Sequence, residues 1–130
     1  METTEAVSET KVVVSRVTRT PLKEVWDFIM KPEGVAALLG EGGVLGNKGE
    51  DWRATDGTYG ITRSFHPLEQ IRFSWHAHEG APATLVDLQL HTVDDGTEVR
   101  LSHDHLPADA DVAALESKWG DVLDRIVSGS

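Results

Sequence analysis

The sequence predicts an α+β domain: a curved antiparallel sheet with two short helices after its first strand and one long C-terminal helix covering it. Three observations lead there. Residues 108–127, ADADVAALESKWGDVLDRIV, set Val112, Leu115, Trp119, Val122 and Ile126 at three- and four-residue steps, with Leu123 and Val127 widening the stripe. Residues 51–106 instead alternate apolar and polar positions and are cut by turn signals, as strands of a meander are. Before that meander, residues 20–39 show helical spacing again. A helix of about 28 Å can span a small sheet, so the last helix is expected to lie on the sheet's apolar face.

In chain order, residues 1–10 (METTEAVSET) are polar, acidic and aperiodic, and read as a flexible tail before one domain over residues 11–130. Residues 11–18, KVVVSRVT, are β-branched and form the first strand. Thr20 is placed to cap a helix opening at Pro21, with Leu22, Val25, Trp26 and Ile29 on one face and an end before Pro32. Residues 33–39 make a second short helix closed by Gly40, and GEGGVLGNKG (40–49) reads as a flexible turn region around a brief strand. Strands follow at 51–55, 58–66, 70–78, 84–93 and 97–106, separated by Asp56-Gly57, Pro67, Gly80 with Pro82, and Asp94-Asp95-Gly96. Alternation puts Ile71, Phe73, Trp75, Val86, Leu88, Leu90, Val99, Leu101, His103 and His105 on dry faces, and Arg72, Ser74, His76, His78, Asp87 and Gln89 on the wet one. The last helix has Asp109 and Asp111 near its start, Arg125 in its last turn and Gly129 beyond.

Composition narrows the function classes. The 130 residues suit one domain, and 39% hydrophobic content supplies a core. Lys plus Arg number 12 against 22 Asp plus Glu, a net charge of −10 that repels phosphate backbones and anionic lipid, so neither nucleic acid nor membrane is an expected partner. There is no cysteine, hence no disulfide or thiolate chemistry. No signal-peptide pattern or long apolar run occurs, and a cytoplasmic location is expected.

Several stretches resemble the START-like helix-grip superfamily (SRPBCC, Bet v 1-like), and within it proteins similar to the C-terminal domain of the activator of the Hsp90 ATPase. They are TPLKEVWDFI at 20–29, PEGVAALLGEG at 32–42, DGTYG at 56–60, HPLEQIRFSW at 66–75, DDGTEVRLSHDHL at 94–106 and KWGDVLDRI at 118–126. Order and spacing of the whole set carry the likeness, which covers nearly all of residues 11–127. It implies a cavity enclosed between sheet and long helix, used by different members for lipids, polyketides or other apolar molecules, and no single activity. Three departures touch the cavity walls. Leu38 stands where a tryptophan is common, Lys118 stands where a glycine usually precedes the tryptophan of the last helix, with Gly120 after it, and the segment between the second and third strands is short.

On this basis the ligand-binding candidates are Leu38, Trp52, Tyr59, Arg63, Phe65, Phe73, Trp75, His103, Leu115 and Trp119. Trp75 and Trp119 flank the space under the long helix in the resembled geometry, whereas Trp52 and Tyr59 fall near strand ends, at a pocket mouth or the surface. His103 shares a row with Val99 and Leu101 and points inward if the strand is regular; an imidazole there needs a partner and its pKa can move. Strict alternation places Arg63 inward as an anion anchor, and a bulge after Gly60 would turn it to solvent. The pairs His76/His78 and His103/His105 have metal-ligand spacing, but they fall on opposite faces with no carboxylate at fixed spacing, so neither metal nor cofactor is expected. The preferred reading is a non-enzymatic binder of an apolar or aromatic, lipid- or polyketide-like molecule. Its rivals are a cyclase- or hydratase-type enzyme with His103 as general acid or base, and an Hsp90-type co-chaperone or other protein-interaction module.

Overall fold

The structure, a computed structural model, describes residues 10–43, 48–106 and 110–129. Its strands are β1 (Thr10–Thr18), β2 (Asp51–Arg53), β3 (Tyr59–His66), β4 (Gln70–Trp75), β5 (Thr84–Val93) and β6 (Gly96–Leu106). The helices are α1 (Leu22–Met30) and α2 (Pro32–Leu39), between β1 and β2, and α3 (Val112–Gly129) at the end. All strand pairs are antiparallel in the order β1-β6-β5-β4-β3-β2, so the first and last strands are neighbours and α3 returns over the face they share. This is the expected α+β helix-grip arrangement. Residues 1–9 and 44–47, to which a tail and part of the glycine-rich turn region were assigned, lie outside the described residues, as do 107–109.

Two irregularities decide which side chains face inward. Thr62 pairs with Phe73 but Ser64 with Arg72, so β3 carries one extra residue at Arg63. That bulge resets the alternation: Gly60 and Thr62 are buried, and Ile61 and Arg63 are exposed. Arg63 is therefore no interior anion anchor. On β6 the pairing with β1 steps from Val12↔His103 to Thr10↔Leu106, and His105 takes φ 62°. His105 is thrown out to solvent while Leu106 turns in, so His103 alone of that pair is buried.

Other boundaries shift for local reasons. Thr20 does not cap α1; Pro21 is the N-cap without a side-chain bond, and the Thr20 carbonyl instead accepts the Thr97 hydroxyl at 2.8 Å. β4 stops at Trp75, and His76 keeps only an isolated bridge to Tyr59 before the chain turns away. α3 begins at Val112, capped by Asp111, whose Oδ1 accepts the Ala114 N–H at 3.1 Å. It runs unbroken through Gly120 and includes Gly129. Gly120 has a reason to be small, because a Cβ there would come within 3.0 Å of the Arg16 guanidinium, which reaches from β1 to Asp124 at 2.8 Å.

The core is where the expected stripes meet. Trp119, Leu123 and Ile126 of α3 are fully buried with Ile71, Phe73, Val86, Leu88, Val99 and Leu101 of the sheet and Val25 and Ile29 of α1. No helix among the described residues is long and apolar enough to cross a membrane.

Candidate functional site

Under the middle of α3 the interior is closed by a chain of hydrogen bonds. The Trp119 Nε1–H can only donate, and it reaches His103 Nδ1 at 3.0 Å, so that nitrogen must be the bare one. The neutral ring then carries its proton on Nε2, which lies 2.7 Å from Thr84 Oγ1 and donates to it. Thr84 in turn donates to the Trp75 carbonyl at 2.8 Å. Every polar atom in this run is used, which is what makes burial of an imidazole tolerable. Desolvation, with a smaller contribution from the Lys118 charge, lowers the His103 pKa to about 4.

Aromatic packing surrounds the network. Trp75 meets His103 edge to face at 5.0 Å between centroids and Trp119 at 5.9 Å, and the Lys118 ammonium lies 5.0 Å from the Trp119 centroid and 5.9 Å from that of Trp75.

Beyond this plug, toward the N-terminal end of α3, a cavity of about 400 Å³ opens. Its walls are Trp75 at the end of β4, Ala77, His78, Ala81 and Pro82 in the β4–β5 connection, Thr84 on β5, Leu106 on β6, and Ala110, Asp111, Ala114 and Leu115 around the start of α3. Among the described residues the lining is mainly apolar, with His78, Thr84 and Asp111 as the polar ones. Two other clefts are also present. One, of about 510 Å³, includes Glu69, Gln70, Gln89 and His91, and one of about 480 Å³ includes Glu33, Glu41 and Arg125. Their charged and amide groups make them poorer sites for an apolar ligand.

Of the ten binding candidates, Trp75 and Leu115 reach this cavity. Trp119 and His103 stand behind its inner wall, joined to it through Thr84 and Trp75. Phe73 and Leu38 are core residues, and Trp52 is buried against Phe73 at 5.6 Å, with its indole N–H unpaired among the described residues. It is thus neither at a mouth nor on the surface. Tyr59 stacks on His76 at 4.3 Å under the Arg53 guanidinium, and half-buried Phe65 packs edge-on against Trp26 at 5.5 Å. Arg63 is outside.

Several wall residues had no distinguishing sequence signal, chiefly the alanines and Pro82. Alternation predicts His78 on a wet strand face, but β4 ends before it and the connection folds it to the cavity rim. Thr84 was legible in principle. The two-residue turn between Val93 and Gly96 fixes Val86 opposite His103, which makes Thr84 its diagonal neighbour on the same face. His76 Nδ1 lies 2.9 Å from the Ala81 carbonyl and His78 Nδ1 3.0 Å from that of Glu79, and no cluster of three residues of metal-ligand type occurs among the described residues.

Residues 19–128 match the family described as activator of Hsp90 ATPase homolog 1-like protein. The chain belongs to that family. Among curated proteins no match is found. Similar solved structures include CalU16 from Micromonospora echinospora (TM-score 0.75, 22% identity, 89% of this chain and 73% of that one). DynU16, a protein of the dynemicin biosynthetic locus, gives 0.75 and 24% over 91% of this chain, which spans only 46% of DynU16. The Aha1 dimer from Colwellia psychrerythraea gives 0.74 and 17%, over 92% and 95%. At these identities the likeness establishes the fold, which all three share with this family member.

Proposed function

We propose that this protein binds a small apolar or aromatic molecule in the cavity between the β4–β5 connection and the first turns of α3. The observation that carries the reading is the cavity itself: about 400 Å³, within the range of roughly 300–1,000 Å³ usual for small-molecule sites, and walled by Trp75, Pro82, Leu106, Leu115 and alanines. Its open side is lined by exposed Ala77, His78, Pro82 and Ala114, so a ligand can enter from solvent and remove this apolar surface from water. Burial of the ligand's apolar surface supplies the affinity, and His78 and Asp111 supply orientation. The placement of DynU16 in a biosynthetic locus favours a small-molecule role over a purely surface role.

Catalysis by His103 has less behind it. A general acid or base must reach the substrate, and both His103 ring nitrogens are engaged behind the cavity wall. The test is native mass spectrometry of freshly purified protein with identification of any extracted molecule, compared with Ala114→Trp. Ala114 is solvent-exposed yet lines the cavity, so an indole there should fill the space with little strain. A stoichiometric apolar ligand absent from the folded variant is the expected result. An empty wild type, with no thermal shift from an apolar library, would overturn the reading in favour of a surface interaction.

A further inference from the structure

Resting on that reading, we propose that Lys118 selects the ligand's charge, and that the ligand is an organic anion whose apolar body lies between Asp111 and Trp75 and whose anionic group meets the Lys118 ammonium. The helix geometry carries this. Asp111, Ala114 and Leu115 line the cavity, and Lys118, four residues beyond Ala114 and three beyond Leu115, continues the same stripe of α3 by one turn. Its ammonium is already drawn to the aromatic end of the cavity, 5.9 Å from the centroid of Trp75, a wall residue, and 5.0 Å from that of Trp119.

Lys118 is also electrostatically available. Among the described residues Lys118 forms no ion pair, as Arg19, Lys31, Arg63 and Arg125 form none, and it differs from these in lying over the aromatic wall of the cavity. The Asp56 carboxylate, whose Oδ1 accepts the Thr58 N–H at 3.1 Å and the Thr58 hydroxyl at 2.7 Å, attracts Lys118 through space without pairing with it. In a chain of net charge −10, a cation held on the aromatic wall without a contact ion pair gives an anion a local point of approach. Polarity along the stripe sets the orientation. Asp111 repels an anion at the start of α3 and Lys118 attracts one seven residues on, about 10 Å along the axis, a span suited to two fused rings.

The probe pair is 8-anilinonaphthalene-1-sulfonate and N-phenyl-1-naphthylamine, which share a body and differ in the sulfonate. Fluorescence titration gives both dissociation constants for wild type, Lys118→Gln, Lys118→Arg and Ala114→Trp. The preference for the sulfonate should fall about tenfold in Lys118→Gln, the size of one charge-assisted contact, with the neutral probe unchanged and the arginine variant close to wild type. High salt should weaken only the anionic probe. An unchanged preference in Lys118→Gln would overturn the inference while leaving the container reading intact. Failure of both probes to bind, or binding indifferent to Ala114→Trp, would overturn both.

Discussion

The two halves of α3 cover the same sheet and do opposite things. From Trp119 onward the helix buries Trp119, Leu123 and Ile126 completely and seals His103 beneath it. From Val112 to Leu115 the same helix presents small or half-buried side chains, and the space below stays open. The amphipathic stripe is continuous across both halves, so periodicity alone does not distinguish a core from a container wall. Side-chain volume does: an indole at 119 fills what alanine at 114 and leucine at 115 leave empty.

The largest expected consequence of that difference is in stability. Trp119→Ala should cost about 3–5 kcal/mol, because it removes a fully buried aromatic and strips His103 Nδ1 of its donor. Leu115→Ala, half-exposed beside existing empty space, should cost only about 1 kcal/mol. Urea denaturation of both variants checks the ratio. Equal losses would mean that the plug and the cavity wall are energetically alike, and the contrast between the halves would fail.

Acid should attack the sealed half next. The His103 pKa is about 4 in the folded protein against an ordinary value of 6.5. Between those values the unfolded chain binds a proton that the native state refuses, so stability is complete above pH 6.5, declines as pH falls, and levels near pH 4. The loss approaches about 3 kcal/mol at one pKa unit per 1.36 kcal/mol. Carboxylates titrate near the lower end of this window, so the informative quantity is the difference from His103→Gln, whose amide has no proton to gain. The variant is expected to be less stable at pH 7 but to show a shallower decline between pH 6.5 and 4. Parallel profiles would remove His103 from the account.

Much of this architecture was legible because it depends on repeated, local signals. The helical spacing of Val112 to Ile126, the hairpin turn before Gly96 and the alternation of Ile71, Phe73 and Trp75 each survived folding. What failed was alternation carried across an interruption. One extra residue at Arg63 puts the residues before it out of phase with Phe65, one near His105 does the same to Leu106, and a bulge leaves no fixed sequence mark when its residue is not glycine. The cavity was harder still. It depends on β4 ending at Trp75, which frees Ala77 to Pro82 to form a wall, and small residues that line empty space look the same in sequence as small residues at the surface.

The smallest effect should be confined to the open half, which makes it the sharpest test of whether the halves behave independently. Asp111 caps α3 through the Ala114 N–H, so Asp111→Ala leaves a first-turn donor without its partner and should cost about 1 kcal/mol, while Asp111→Asn, an equally good cap, should cost little. Because Val112 to Leu115 bury little, the lost cap has few tertiary contacts to offset it there, and fraying should stop where Trp119 locks the helix to His103. Hydrogen exchange resolves the two segments. Faster exchange at Ala114 and Leu115 in Asp111→Ala, with protection from Trp119 to Ile126 unchanged, is the expected pattern. It would also mean that the cavity can loosen at its helical wall without the core opening, since the plug of Trp119, His103 and Thr84 isolates one from the other.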